Sequence, residues 1–100
     1  MIKSFKCKET EKIFNKIFSK KFSLQIQRQA FMVLKQLSYA KDFKEIKQVD
    51  EKDFKTLTRN KRTHHDYQVR VNKQYRIRFN IVDEQATDIE IIDTQLKDFH

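Results

Sequence analysis

The 100-residue chain has no glycine, no proline and a single cysteine. Each absence removes a class of chemistry. Glycine-rich phosphate loops, whether of the P-loop or the dinucleotide-binding kind, need backbone that only glycine allows, so nucleotide binding by those routes is excluded. One cysteine, Cys7, can build neither an internal disulfide nor a paired-cysteine zinc site, and it fits a reducing compartment. For Cys7 itself a nucleophilic role stands against that of a small, half-buried side chain. No apolar run is long enough to span a bilayer, and MIKSFKCKETEK lacks the apolar core of a signal peptide. A cytoplasmic protein without membrane association, metal or cofactor is therefore expected.

What the chain does have is charge and phenylalanine. The formal net charge is +8, and nine phenylalanines contribute to a hydrophobic content of 38%. That is enough for one folded domain with a modest core. The positive balance favours a polyanionic partner, nucleic acid or an acidic protein, over a surface that is merely solvated by lysine.

The apolar spacing sets out the elements. IKSF suits a short strand. Ile13, Phe14, Ile17 and Phe18 recur at helical spacing from about Lys8 to Phe18. Ser23 is placed to cap a second helix that ends near Tyr39 and buries Ile26, Ala30, Val33, Leu34 and Leu37. A short third turn runs through Phe43 and Ile46. Strand patterns follow in FKTLT, Tyr67–Val71, Gln74–Val82 and Thr87–Asp93. Helices first and an antiparallel sheet after them predict an α+β fold, two N-terminal helices on one face of a small, mainly antiparallel twisted sheet.

YQVRVNKQYRIRFN alternates strictly. Tyr67, Val69, Val71, Tyr75, Ile77 and Phe79 share one face, which places both tyrosines in the core rather than at a surface. For this to hold, Val71 must pair with Tyr75, and Asn72-Lys73-Gln74 becomes a three-residue turn with one residue in the left-handed region. Arg70 then stands opposite Arg76, and Gln68 opposite Arg78. The next hairpin pairs Arg78 with Glu90, Asn80 with Asp88 and Arg76 with Ile92. An ion pair to Glu90 accounts for Arg78, worth up to ~1 kcal/mol. Arg70 and Arg76 have no such partner. Either an anion visits them, or two long side chains splay into solvent.

MIKSFKCKETEKIFNKIFSKKFSLQIQRQA, followed by RVNKQYRIRF and DIEIID, resembles the HigB-type toxins of the RelE/ParE superfamily, the killer halves of type II toxin–antitoxin pairs. The resemblance covers nearly the whole chain. It implies a RelE-like fold with a concave basic surface, and cleavage of messenger RNA in the ribosomal A site without metal. In such a reaction the ribose 2′-OH attacks the neighbouring phosphate. A base takes its proton, an acid protonates the leaving 5′-oxygen, and cations stabilise the added negative charge. Arg76 matches the family arginine for the last task. Arg70 can add to it, since guanidinium suits phosphate better than an ammonium does.

The chain departs from the family twice. Where relatives carry Leu-Lys-Gly-Asp/Asn-Arg, LTRNKRTHHDY puts Thr58 at the lysine and Arg59 at the glycine, in a loop two residues longer. Arg59, Lys61 and Arg62 are placed to restore the charge, with Arg78 as a further RNA contact. Where many relatives end in Asp-Tyr-His, the chain reads Asp93-Thr94-Gln95, so Asp93 is retained and the aromatic and imidazole are not. His64, His65 and His100 are the candidate replacements for acid–base work, each set against an ordinary loop or a frayed end.

The implied partners are a HigA-like helix-turn-helix antitoxin, forming a toxin–antitoxin hetero-oligomer, and the ribosome with its mRNA. Lys12, Lys16, Lys20, Lys21 and Arg28 are candidate contacts for rRNA or antitoxin, or else a solvated helix face. Two alternatives to an active nuclease remain: a non-enzymatic, ParE-like inhibitor of DNA gyrase, and an attenuated toxin that binds RNA or ribosome with little cleavage.

Overall fold

The computed structural model describes residues 1–49, 54–57 and 65–95. Three helices, α1 (Lys8–Phe14), α2 (Leu24–Tyr39) and α3 (Phe43–Gln48), precede four strands. The strands are β1 (Lys55–Thr56), β2 (Tyr67–Arg70), β3 (Tyr75–Val82) and β4 (Gln85–Asp93). They form one antiparallel open sheet in the order β1-β2-β3-β4. The fold is α+β, with all the helices ahead of the sheet in the chain.

The predicted cap at Ser23 is present, and Asp42 supplies a second that was not predicted. The Ser23 hydroxyl accepts from the Ile26 amide, and the Asp42 carboxylate accepts from Glu45 while Glu45 accepts from the Lys41 amide. Ala30, Leu34 and Leu37 of α2 join Ile13 and Ile46 against Val69, Ile77, Phe79, Ile89 and Ile91 of the sheet. Tyr67 sits among the rings of Phe43, Phe54 and Phe79, and Tyr75 meets the edge of Phe22. Both tyrosines are therefore built into the packed side of the sheet.

The free edge of β4 is covered. Residues 1–6 run parallel beside it as two isolated bridges, Ile2 to Ala86 and Phe5 to Ile89, and not as a full strand. Beyond them the Ile91 amide donates to Thr10 Oγ1 of α1 at 3.1 Å. A helix thus closes an edge that would otherwise offer open ladder positions.

α1 is shorter than the apolar spacing suggests. It stops at Phe14, Lys16 takes φ 61°, and the Ile17 amide reaches back to the Lys12 carbonyl while Lys16 reaches Ile13. That is a Schellman ending, with lysine where glycine is usual. Ile17 and Phe18, expected to extend the buried stripe, are instead 54% and 59% exposed.

A chain without glycine must fill its left-handed positions with other residues. Among the described residues these are Lys16, Asp83, Glu84 and Asp88. Asp83 and Glu84 form the two-residue β3–β4 turn, where positive φ at both positions fits type I′. Glu84→Gly is expected to stabilise the protein by about 0.5–1 kcal/mol, because the left-handed backbone costs a residue with a Cβ more than it costs glycine. A rise in the urea midpoint at constant slope checks this, and Glu84→Ala should give no such gain.

Asp88 corrects one expected pairing. Arg78 opposes Glu90 as predicted, but Asn80 opposes Thr87 and not Asp88. An extra residue bulges out of β4 there, and Asp88 at φ 52° provides it. The bulge buries both Ala86 and Thr87, which strict alternation would separate.

Candidate functional site

The arginine hairpin has the register that parity predicts: Arg70 opposite Arg76, Gln68 opposite Arg78, Arg76 opposite Ile92. The turn is made differently. No residue of 72–74 has a positive φ. Instead Asn72 Oδ1 accepts from the amides of Gln74 and Tyr75, both at 2.8 Å, an Asx turn that closes the loop with a side chain. Asn72 Nδ2 donates to Gln29 Oε1 at 2.8 Å and so anchors the turn to α2.

Arg70 and Arg76 converge on this turn. Arg70 Nε donates to the Asn72 carbonyl at 3.2 Å, and Arg76 Nη1 donates to the same oxygen at 2.5 Å. Arg76 Nη1 also reaches the carbonyls of Tyr75 at 3.0 Å and Lys73 at 3.3 Å. Two guanidinium groups are thus drawn to one carbonyl oxygen. The expectation that these arginines lack any structural explanation is corrected: they hold turn carbonyls. Among the described residues no carboxylate pairs with either.

Arg78 continues the row on the same face. Its Nε donates to Gln68 Oε1 at 3.0 Å, so the hydrogen-bonding partner is Gln68 and not the expected Glu90. Glu90 acts at longer range. Burial weakens the hold of Arg78 on its proton, Glu90 strengthens it, and Arg76 weakens it again. Arginine remains charged throughout the accessible range. Lys55, opposite Gln68 on β1, adds a further cation to the row.

Asp93 is not part of that row. It opposes Tyr75 in register, which places it on the face of the sheet opposite to Arg76 by the alternation of the pleat. Its carboxylate accepts from Gln74 Nε2 at 3.0 and 3.1 Å and from the Gln95 amide at 2.9 Å. Thr94 donates to the Gln74 carbonyl through both its amide and its hydroxyl. The segment 93–95 therefore stitches the end of β4 to the arginine turn.

His65 lies inside the molecule. It is 1% exposed, and its Nε2 is 2.7 Å from the Asp88 carbonyl, so Nε2 carries the proton. Its Nδ1 is buried without a hydrogen-bond partner among the described residues. Burial holds the imidazole below the usual histidine range, against the Asp88 carbonyl and Glu90, which favour the charged form. These features give His65 a packing task beneath the β4 bulge. A signal in the sequence for it was absent, because the bulge itself was.

The buried ring makes stability depend on pH. His65 stays neutral in the fold but titrates normally once unfolded, so on acidification the unfolded chain takes up the proton first. Stability is expected to be full above the ordinary histidine range and to fall below it until the folded ring also titrates. Denaturant melts from pH 7.5 to 5.5 should show this decline, and His65→Gln should flatten it.

Thr58, Arg59, Lys61, Arg62, His64 and His100 lie outside the described residues. Cys7 is half-buried at the start of α1 and its side chain makes no capping bond. Among the described residues no three His, Cys, Asp or Glu side chains gather to hold a metal ion, and no helix is long and apolar enough to cross a membrane. Neither a protein-family model nor a curated protein matches the chain.

Proposed function

We propose that the Arg70–Arg76–Arg78 face binds the phosphate backbone of RNA, and that the chain is the toxin of a type II toxin–antitoxin pair, a ribosome-dependent endoribonuclease. The observation that carries the reading is the convergence of Arg70 and Arg76 on the Asn72 carbonyl. Like charges directly opposite each other destabilise a sheet, and neutral carbonyl oxygens, one of them shared, are weak partners for two cations. A phosphate offers both of them charge-assisted bonds in the geometry guanidinium prefers. The resemblance to HigB-type toxins assigns Arg76 the same task.

The chemistry follows from that placement. The 2′-oxygen attacks phosphorus, the bond to the 5′-oxygen breaks, and a cyclic phosphate and a 5′-hydroxyl result. Arg76 and Arg70 stabilise the dianionic phosphorane, where charge exceeds that of the ground state. The partners are the ribosome with its mRNA and a helix-turn-helix antitoxin, in the cytoplasm.

A second reading has its own support. Asp93 is tied to Gln74 and Gln95, and His65 is buried, so neither of these two expected acid–base residues serves the arginine face, where the carboxylate opposite Arg78 is Glu90. This favours binding with little cleavage, as an attenuated toxin or a ParE-like inhibitor of gyrase. Purified protein added to a translation reaction and to a supercoiling reaction separates the readings. The nuclease cuts mRNA only when ribosomes are present. Intact mRNA with blocked supercoiling assigns the gyrase role, and intact mRNA with stalled ribosomes assigns binding alone.

A further inference from the structure

The helical layer presents apolar surface that the core does not use. Ile17, Phe18 and Leu24 are all more than half exposed. They are neighbours, lining with Phe31 a groove of about 320 Å³ whose walls also include Lys16 and Arg28. Large apolar side chains gathered in this way mark an interaction surface more often than those scattered singly.

The loop that presents them is fixed. Lys16 at φ 61° turns the chain out of α1, in a conformation that costs a lysine more than a glycine. On the far side, Gln27 of α2 clamps Ser19 and Phe22 by their backbone groups. Ile17 and Phe18 are thus held in solvent from both ends, with little freedom to fold back.

The surroundings are positive. Phe18 also borders a second hollow shared with Lys12, Lys20, Lys21 and Glu9. The one acid there is already engaged, accepting from Ser19 Oγ at 2.7 Å and pairing with Lys12 at 3.1 Å. Lys16 Nζ sits 5.4 Å from the Phe31 ring centroid, which places a cation over the aromatic wall.

We infer that this groove docks an acidic amphipathic helix of another protein. Its apolar residues seat against Ile17, Phe18 and Leu24, and its carboxylates meet Lys12, Lys20, Lys21 and Arg28. A second copy of the chain would set the same cations against one another. A nucleic acid would answer the charge but leave the apolar knobs in water. An acidic helix answers both features, in the helix-in-groove mode. The surface lies on the helical side of the sheet, away from the arginine face, so the inference does not rest on the nuclease reading.

The test is fluorescence anisotropy of a labelled synthetic helix, titrated with the full chain. The helix carries leucine at i, i+4 and i+7 with glutamate around them, and a matched peptide has lysine in place of each glutamate. The glutamate peptide should bind saturably, the lysine peptide should not, and Phe18→Ser and Arg28→Glu should each weaken binding by about tenfold or more. Arg76→Ala should bind the peptide like the parent chain, which separates this surface from the arginine face. Phe18 is exposed, so its variant should melt like the parent; should it not, Ile17→Ser takes its place. Equal binding of both peptides, or binding indifferent to these substitutions, overturns the inference. So does a self-association abolished by Phe18→Ser, or tighter binding to phosphatidylserine vesicles than to the glutamate peptide.

Discussion

On the proposed nuclease reading, Arg76→Ala is expected to lower ribosome-dependent mRNA cleavage by about 10²–10³-fold and to relieve growth inhibition, since removing one preorganised donor from a developing oxyanion costs this much. Arg70→Ala should cost less, about tenfold, because Arg70 reaches the turn through Nε alone while Arg76 is held to three carbonyls. Those carbonyl bonds complicate any simple reading of the mutant. Hydrogen bonds to a charged group contribute about 1.5–3 kcal/mol, so Arg76→Ala should also loosen the turn. Asn72→Ala separates the two effects. It removes the side-chain bonds to the Gln74 and Tyr75 amides and to Gln29 without removing a cation. Asn72→Ala should therefore destabilise by about 1–2 kcal/mol yet lose far less cleavage than Arg76→Ala. Arg76→Lys should recover only part of the rate, since an ammonium supplies charge without the planar fork. Undiminished cleavage by Arg76→Ala would remove Arg76 from the site.

The contrast between what the sequence reveals and what it hides is physical. Period-two alternation is imposed by the pleat, so the faces and register of the arginine hairpin can be read directly from YQVRVNKQYRIRFN. The turn that closes it cannot, because a side-chain amide does there what a left-handed residue does elsewhere. Left-handed positions are usually legible through glycine. Here Lys16, Asp83, Glu84 and Asp88 occupy them; the lysine and glutamate give no sign of the conformation, and aspartate, which tolerates it, is too common elsewhere to mark it. Two consequences bear on the sites. The early end of α1 turns Ile17 and Phe18 from expected core into exposed surface. The bulge at Asp88 shifts the pairing of Asn80 and gives buried His65 its carbonyl partner. Asp93 is a third case. Its place in the register was legible from Tyr75, but its engagement with Gln74 depends on where the turn folds back.

Gln27→Leu is expected to destabilise the fold by about 3 kcal/mol, a fall in melting temperature of roughly 12–24 °C for a domain of this size. Gln27 lies on the buried face of α2, and its amide does the work of a strand for the loop after α1. Oε1 accepts from the Ser19 amide at 3.0 Å, and Nε2 donates to the carbonyls of Ser19 at 2.9 Å and Phe22 at 2.8 Å. Leucine preserves much of the volume but leaves these backbone groups without their partner, which is more costly than the loss of a matched pair. Gln27→Glu distinguishes this account from one based on packing alone. Ionised glutamate can accept from Ser19 but cannot donate to either carbonyl, so at neutral pH it should destabilise at least as much as leucine. Protonation restores a donor. The folded protein then binds the extra proton more tightly than the unfolded chain does, and the deficit relative to the parent should shrink as pH falls. A deficit independent of pH would show that shape, and not the hydrogen bonds of Gln27, holds the loop that presents Ile17 and Phe18.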